Sequence, residues 1–235
     1  MKKALLLFLF IPISFYSQEK QLFDADQLLG KKKIPLQGKT YQLLPEAAVA
    51  FEAMKKAALE SGFQIKVVSS FRSYEKQRAI WNRKYRNHVK EGLTPEENRK
   101  KIIEYSTLPG TSRHHWGTEI DIVDGSIPPV GDVLETRKFH NGGPYEPLRL
   151  WLEKNASTYG FICAYPDLPS RSGFYYEPWH YSFAPLSVPL YRSYLQLSLK
   201  EKLKDSLLEG YQDLNKTFLE NYRATHIMGI HPQLQ

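Results

Sequence analysis

Residues 119–123 read Glu-Ile-Asp-Ile-Val, a strict alternation that fits a strand and not a helix. Neighbouring side chains in a strand point to opposite faces. Ile120 and Ile122 therefore claim a buried face, and Asp121 must point the other way. A carboxylate in so apolar a strand needs a partner, because an unpaired buried charge is costly. A metal ion is one such partner, and that possibility directs attention to histidines nearby in sequence and in space.

The flanking chain supplies them. The segment leading into the strand is Ser112-Arg113-His114-His115-Trp116-Gly117-Thr118, and later comes Glu177-Pro178-Trp179-His180. A catalytic zinc takes three protein ligands and keeps one position open. His114 and Asp121 provide two, joined by a turn hinged at Gly117, and His180 on a strand-like segment provides the third. Glu177 falls just before Pro178, which blocks a regular ladder, so it is expected on a loop lip beside the metal, placed to take a proton from water. Arg72 follows one predicted strand and precedes a helix, a junction that lies at cleft edges. There it would stabilise an oxyanion or grip a substrate carboxylate. Taken singly, His-x6-Asp and Glu-x-x-His are weak patterns, equally compatible with structural histidines and a surface ion pair.

The rest of the chain gives an α+β pattern with helices first and short strands later. Leu44-Pro45-Glu46 opens a helix to about Ser61, stopped by Gly62. A strand is predicted at 63–69, a helix at 74–88, and a capping box at Thr94–Glu97 starts another. Residues 124–144 are rich in Gly and Pro and read as a long loop. A helix is predicted over 146–159, and short strands at 161–164, 174–176 and 179–183. Trp81, Tyr85, Trp151 and Tyr159 fall at helical spacing and are assigned to the core. The expected arrangement is a single domain with a small antiparallel sheet flanked by helices, the zinc site in a cleft, and a helical C-terminal extension. The expected boundaries are 1–17, 18–44, 45–185 and 186–235.

The first segment carries Lys2 and Lys3 and the short apolar run Ala4–Ile13, the form of a secretory signal cleaved after Ser17. A retained N-terminal anchor is the alternative. The apolar run falls short of the roughly 20 residues of a membrane span, so no stable span is expected after its removal. The single cysteine, Cys163, forbids an intramolecular disulfide, and its apolar setting marks an inert thiol. The chain carries no phosphate-cradling glycine loop and no Gly-x-Ser-x-Gly elbow, and no nucleic-acid partner is expected. The basic residues Arg83, Lys84, Arg86, Lys90 and Arg99–Lys101 read as a solvated helix face, with attraction of anionic wall polymer as the alternative. His88, His140, His226 and His231 lack ligand-like spacing and are expected at the surface.

Ser112, His114, Gly117, Asp121, Glu177, Trp179 and His180, with the upstream Ser69–Ser73 element and Gln77, resemble the VanY-type zinc D-alanyl-D-alanine carboxypeptidases over residues 45–185. That family is related to D-Ala-D-Ala dipeptidases and L-alanyl-D-glutamate endopeptidases. The resemblance implies Zn2+ held by His114, Asp121 and His180, Glu177 as base, and Arg72 near the scissile carbonyl. It implies Ser112, Gln77 and Trp179 as substrate contacts. It further implies release of a terminal D-alanine from peptidoglycan peptides; the secretory segment makes such an enzyme one of the periplasm or cell envelope, and a monomer is expected. L,D-carboxypeptidase, wall endopeptidase and non-catalytic wall-binding readings stand beside it. Two departures concern the site. Glu119 stands where the family has a small apolar residue, and would add a hydrogen bond behind a ligand or tune substrate choice. His115 adjoins His114, and the spacing to Asp121 favours His114 as the ligand.

Overall fold

The structure is a computed structural model describing residues 23–235. The predicted secretory segment lies outside the described residues. A short helix α1 (Ala25–Leu28) is closed at its start by a capping box between Asp24 and Gln27. Helix α2 (Pro45–Glu60) has Pro45 in its first turn and buries Ala47, Ala48, Phe51, Met54 and Ala58. Strand β1 (Ile65–Ser69) follows, then α3 (Tyr74–Lys90), whose N-cap Ser73 accepts from the Lys76 amide. Helix α4 (Pro95–Ile103) starts at the predicted capping box of Thr94 and Glu97.

Strand β2 (Glu119–Asp124) is the centre of the molecule. After α5 (Glu146–Asn155) come β3 (Phe161–Cys163) and β4 (His180–Phe183). The four strands form one antiparallel sheet in the order β1-β2-β4-β3. This is the α+β arrangement expected from the sequence. Every residue of β2 is buried, because both of its faces are covered. Ile120 and Ile122 enter the main core with Phe51, Met54 and Trp81, whereas Val123 joins a smaller cluster with Phe139, Tyr145 and Trp179.

Two local features aim the site. The β1–β2 ladder is irregular between Val67 and Ser69, opposite Asp121, and such a bulge turns the chain as it leaves the sheet toward Arg72. Gly117 has φ 68°, ending the short helical turn Arg113–Trp116 and turning the chain into β2. A side chain there would meet Leu36 and Ile34 as well as adopt a backbone that favours glycine.

The chain after β4 runs through α6 (Ala184–Leu195), α7 (Leu199–Lys202) and α8 (Lys216–Tyr222) and wraps back over the domain. Trp81 Nε1 donates to the Glu209 carbonyl, Arg78 pairs with Asp205 at 3.0 Å, and the Tyr194 hydroxyl donates to the Gly110 carbonyl. Tyr194, Leu199, Leu219 and Tyr222 are part of the main core. Among the described residues no helix is long and apolar enough to cross a membrane.

Several expectations need correction. Residues 174–176 form no strand. The place beside β4 is taken by β3, and the chain at Gly173 is pressed against the backbone of Thr225 and His226. The helix predicted to reach Tyr159 ends at Asn155 and tightens into a 3₁₀ turn before Gly160. Trp151 and Tyr159 are half-buried, packed against the core from outside it. The four histidines expected at the surface are all half-buried. His88 lies against Asn98, His140 packs at a tilt against Tyr176, His226 stacks on Tyr222, and His231 is partly covered.

Candidate metal centre and cleft

Antiparallel pairing of β2 and β4 sets Asp121 directly opposite His180. The 3₁₀ turn before β2 carries His114 to the same point. The three ligand atoms lie within 4.8 Å of one another and all three residues are buried. His114 Nε2 is 3.3 Å from Asp121 Oδ2, and His180 Nδ1 is 3.5 Å from Asp121 Oδ1. Ligands bound at about 2.0–2.1 Å to a tetrahedral zinc stand roughly 3.3–3.4 Å apart, so these separations fit such an ion. Among the described residues Asp121 Oδ1 has no hydrogen-bond partner though buried, an otherwise costly state that a cation would relieve.

The tautomers are set from behind. His114 Nδ1 lies 2.8 Å from the Ser70 carbonyl and must donate to it, which turns Nε2 toward Asp121. His180 is held the other way round. Its Nε2 faces the fully buried Glu119 Oε2 at 3.0 Å, leaving Nδ1 toward Asp121 and 2.9 Å from Glu177 Oε2. Glu119 shares the face of β2 with Asp121 and is itself fixed by Arg113, Thr118 and Ser182. Burial alone would raise the Glu119 pKa. The Arg113 guanidinium, together with His180 and the Ser182 hydroxyl, instead holds it down at about 2. Burial also disfavours a charged His180, yet Asp121, Glu119 and Glu177 around it raise its pKa to about 10. That surplus of negative charge is what a bound cation would neutralise.

His115 has no part in this cluster. Its Nδ1 donates to the Arg72 carbonyl, its Nε2 accepts from the Gly110 amide, and burial lowers its pKa to about 3. It is a neutral pin between two loops, which separates it from its neighbour in sequence.

The cluster lies in a cleft that is also lined by Arg72, Ser112, Glu177 and Trp179. Glu177 sits on the lip between β3 and β4, its amide bonded to the Tyr165 carbonyl. Arg72 donates its backbone amide to the His114 carbonyl and two guanidinium nitrogens to Ser69 Oγ and Gln77 Oε1. Burial lowers its pKa, though an arginine stays charged. Gln77, expected to meet substrate, is wholly buried. It receives Arg72 and donates to the Thr107 carbonyl, so it acts behind Arg72 and not in the cleft. Cys163 is half-buried, and burial pushes its thiol up to about 12, far from a nucleophile's range. The sequence did not single out Ser182 or assign a role to Arg113. Their contribution depends on a ladder pairing Glu119 with Ser182 across strands far apart in the chain.

Comparisons with known proteins place the chain in a family. The VanY family, described as D-alanyl-D-alanine carboxypeptidase, matches residues 40–186. A D-alanyl-D-alanine carboxypeptidase of Enterococcus faecalis is 30% identical over 148 residues, covering 63% of this chain and 50% of that protein. The chain thus spans about half the length of that relative. The bifunctional D-Ala-D-Ala dipeptidase and carboxypeptidase VanXYC of Enterococcus gallinarum is 30% identical over 146 residues, 61% of this chain and 68% of that one. Among solved structures, a mutant of the vancomycin resistance D,D-pentapeptidase VanY in complex with Zn(II) superposes with a TM-score of 0.53. It is 26% identical and covers 73% of this chain and 90% of its own.

Proposed function

The chain belongs to the VanY family of D-alanyl-D-alanine carboxypeptidases, and from that premise we propose that it is a zinc-dependent D,D-carboxypeptidase releasing the terminal D-alanine of peptidoglycan stem peptides. The observation that carries this reading is the buried convergence of His114, Asp121 and His180 with the Glu177 carboxylate 2.9 Å from His180. A purely structural metal clip would be closed by a fourth ligand. Here the further neighbour is a carboxylate on a cleft lip, suited to moving protons.

His114 Nε2, an Asp121 carboxylate oxygen and His180 Nδ1 would hold the metal, which when bound would supply the Lewis acidity that makes water a nucleophile near neutral pH. Glu177 takes the proton from the attacking water and returns it to the leaving amine. Arg72, immobilised by Ser69 and Gln77, presents its guanidinium to the carbonyl oxygen as charge develops there. Ser112 and Trp179 shape the wall along which the peptide lies. Glu119 keeps the His180 ring in the tautomer that the metal needs. An enzyme of this substrate would work in the cell envelope, in keeping with the secretory character of the first residues.

The test is incubation of zinc-loaded protein with a defined stem pentapeptide ending in D-Ala-D-Ala, with products read by mass. Loss of one alanine, abolished by a chelator and restored by zinc, is expected. Release of a dipeptide, an internal cut, or no turnover would each overturn the reading.

A further inference from the structure

A carboxypeptidase must recognise a chain end, and the metal cluster does not explain how this one would. Arg72 is committed to the carbonyl side of the site: its amide holds the His114 loop, and two of its guanidinium nitrogens are already taken. A second cation lines the same cleft. Lys84 belongs to the basic run of α3 that reads in sequence as a solvated face, yet its side chain turns inward and is half-buried. Its ammonium donates to Ser106 Oγ at 2.7 Å, and among the described residues no carboxylate pairs with it. Burial, then Arg83 and Arg72, lower its pKa, while Asp132 and Glu177 act in the opposite sense from further away. A half-buried cation whose one fixed partner is a neutral hydroxyl is under-compensated.

The donor inventory is specific. An ammonium has three hydrogens and Ser106 uses one, leaving two. The Ser106 hydroxyl, accepting from Lys84, has its own hydrogen to give. Three donors on one cleft wall suit the two oxygens of a carboxylate. The same wall is tied to the Glu177 lip by Tyr105 and Tyr175, whose rings meet at 5.1 Å.

We propose that Lys84 and Ser106 form the seat for the free C-terminal carboxylate of the substrate peptide, and that this seat makes the cleft select a chain end. The proposal rests on the peptidase reading above, and divides two half-buried cations of the cleft between two tasks. Arg72 serves the carbonyl under attack, and Lys84 holds the terminus.

The test measures binding apart from turnover. Zinc-loaded Glu177→Gln protein, slowed in catalysis, is titrated by calorimetry with a D-Ala-D-Ala-ended peptide and with its C-terminal amide. The free carboxylate is expected to bind about tenfold to a hundredfold tighter, the range of a charged hydrogen bond. Adding Lys84→Met should remove that advantage and leave amide binding unchanged, and Lys84→Arg should keep much of it. Thermal melts of each variant confirm folding. Equal binding of carboxylate and amide by the Lys84-intact protein, or an undiminished preference in the Lys84→Met protein, overturns the seat. Either result leaves turnover by the unaltered protein as the separate measure of the peptidase reading. A Lys84-dependent preference in a protein that cuts nothing would sink that reading and keep the seat.

Discussion

His180 and Glu119 face each other across the β2–β4 ladder, Nε2 to Oε2 at 3.0 Å, both buried. The contact fixes which nitrogen of His180 points to the metal. A residue with no expected place among the ligands therefore governs one of them. Glu119→Gln keeps the shape and removes the charge, and is expected to weaken zinc binding about 10- to 100-fold. Competition against a chelator of known affinity measures this. Unchanged zinc affinity would mean that the ring needs no such anchor.

Glu177 lies beside the metal cluster and is not one of its three converging ligands. Glu177→Ala should therefore retain zinc at one equivalent while turnover falls by about 10²- to 10⁴-fold, the usual contribution of a positioned base. Metal analysis and steady-state kinetics on the same preparation separate the two effects. A variant that loses its zinc would make Glu177 a ligand.

Metal should stabilise the fold, since the site exists only when the sheet is formed. With free zinc a thousandfold above Kd, linkage gives about 4 kcal/mol. A chelator is expected to lower Tm accordingly, and Asp121→Ala should melt at the same temperature with or without zinc. A zinc-dependent shift persisting in that variant would point to a different binding place.

Tyr222 reaches from the C-terminal extension into the loop ahead of the metal turn. Its hydroxyl accepts from the Leu108 amide and bonds Thr111 Oγ1. Tyr222→Phe leaves that buried amide unpaired, at a cost of about 1–3 kcal/mol. Chemical denaturation gives the value directly, and a change under 0.5 kcal/mol, the ordinary scatter of neutral surface substitutions, contradicts the role.

His226 stacks on Tyr222 and packs edge-on against Phe174, and burial lowers its pKa to about 4 from an ordinary 6.5. The unfolded chain therefore takes up a proton that the folded one refuses. The stabilisation is complete above about 6.5 and declines as pH falls from there toward 4. His226→Phe keeps a ring and removes the titration. Its Tm should fall less over that interval than the parent's, and parallel curves would refute the assignment.

The Ile-Asp-Ile alternation and the Gly117 turn made β2 and its outward carboxylate readable, because strand period and backbone sterics are local. The helix starts at Pro45 and Thr94 were legible for the same reason. What escaped depends on partners remote in the chain. Whether 161–163 or 174–176 lies beside β4 is a choice between two short apolar runs that local pattern does not rank. The family resemblance makes Gln77 a substrate contact, but its side chain is spent on Arg72 and on the Thr107 carbonyl of a loop remote in the chain. Lys84 reads as solvated because it shares a basic run with the exposed Arg83, Arg86 and Lys90, and the Ser106 loop gives it an inward side.

The sheet order has a kinetic consequence. Asp121 meets Ser69 on one side and His180 on the other, each far along the chain. Contacts of that range close late and slow folding. No early hairpin holds the three ligands together, so zinc is expected to find its site after the sheet has closed. The ion would then leave the refolding rate nearly untouched and act as a brake on unfolding, lengthening the lifetime of the finished molecule.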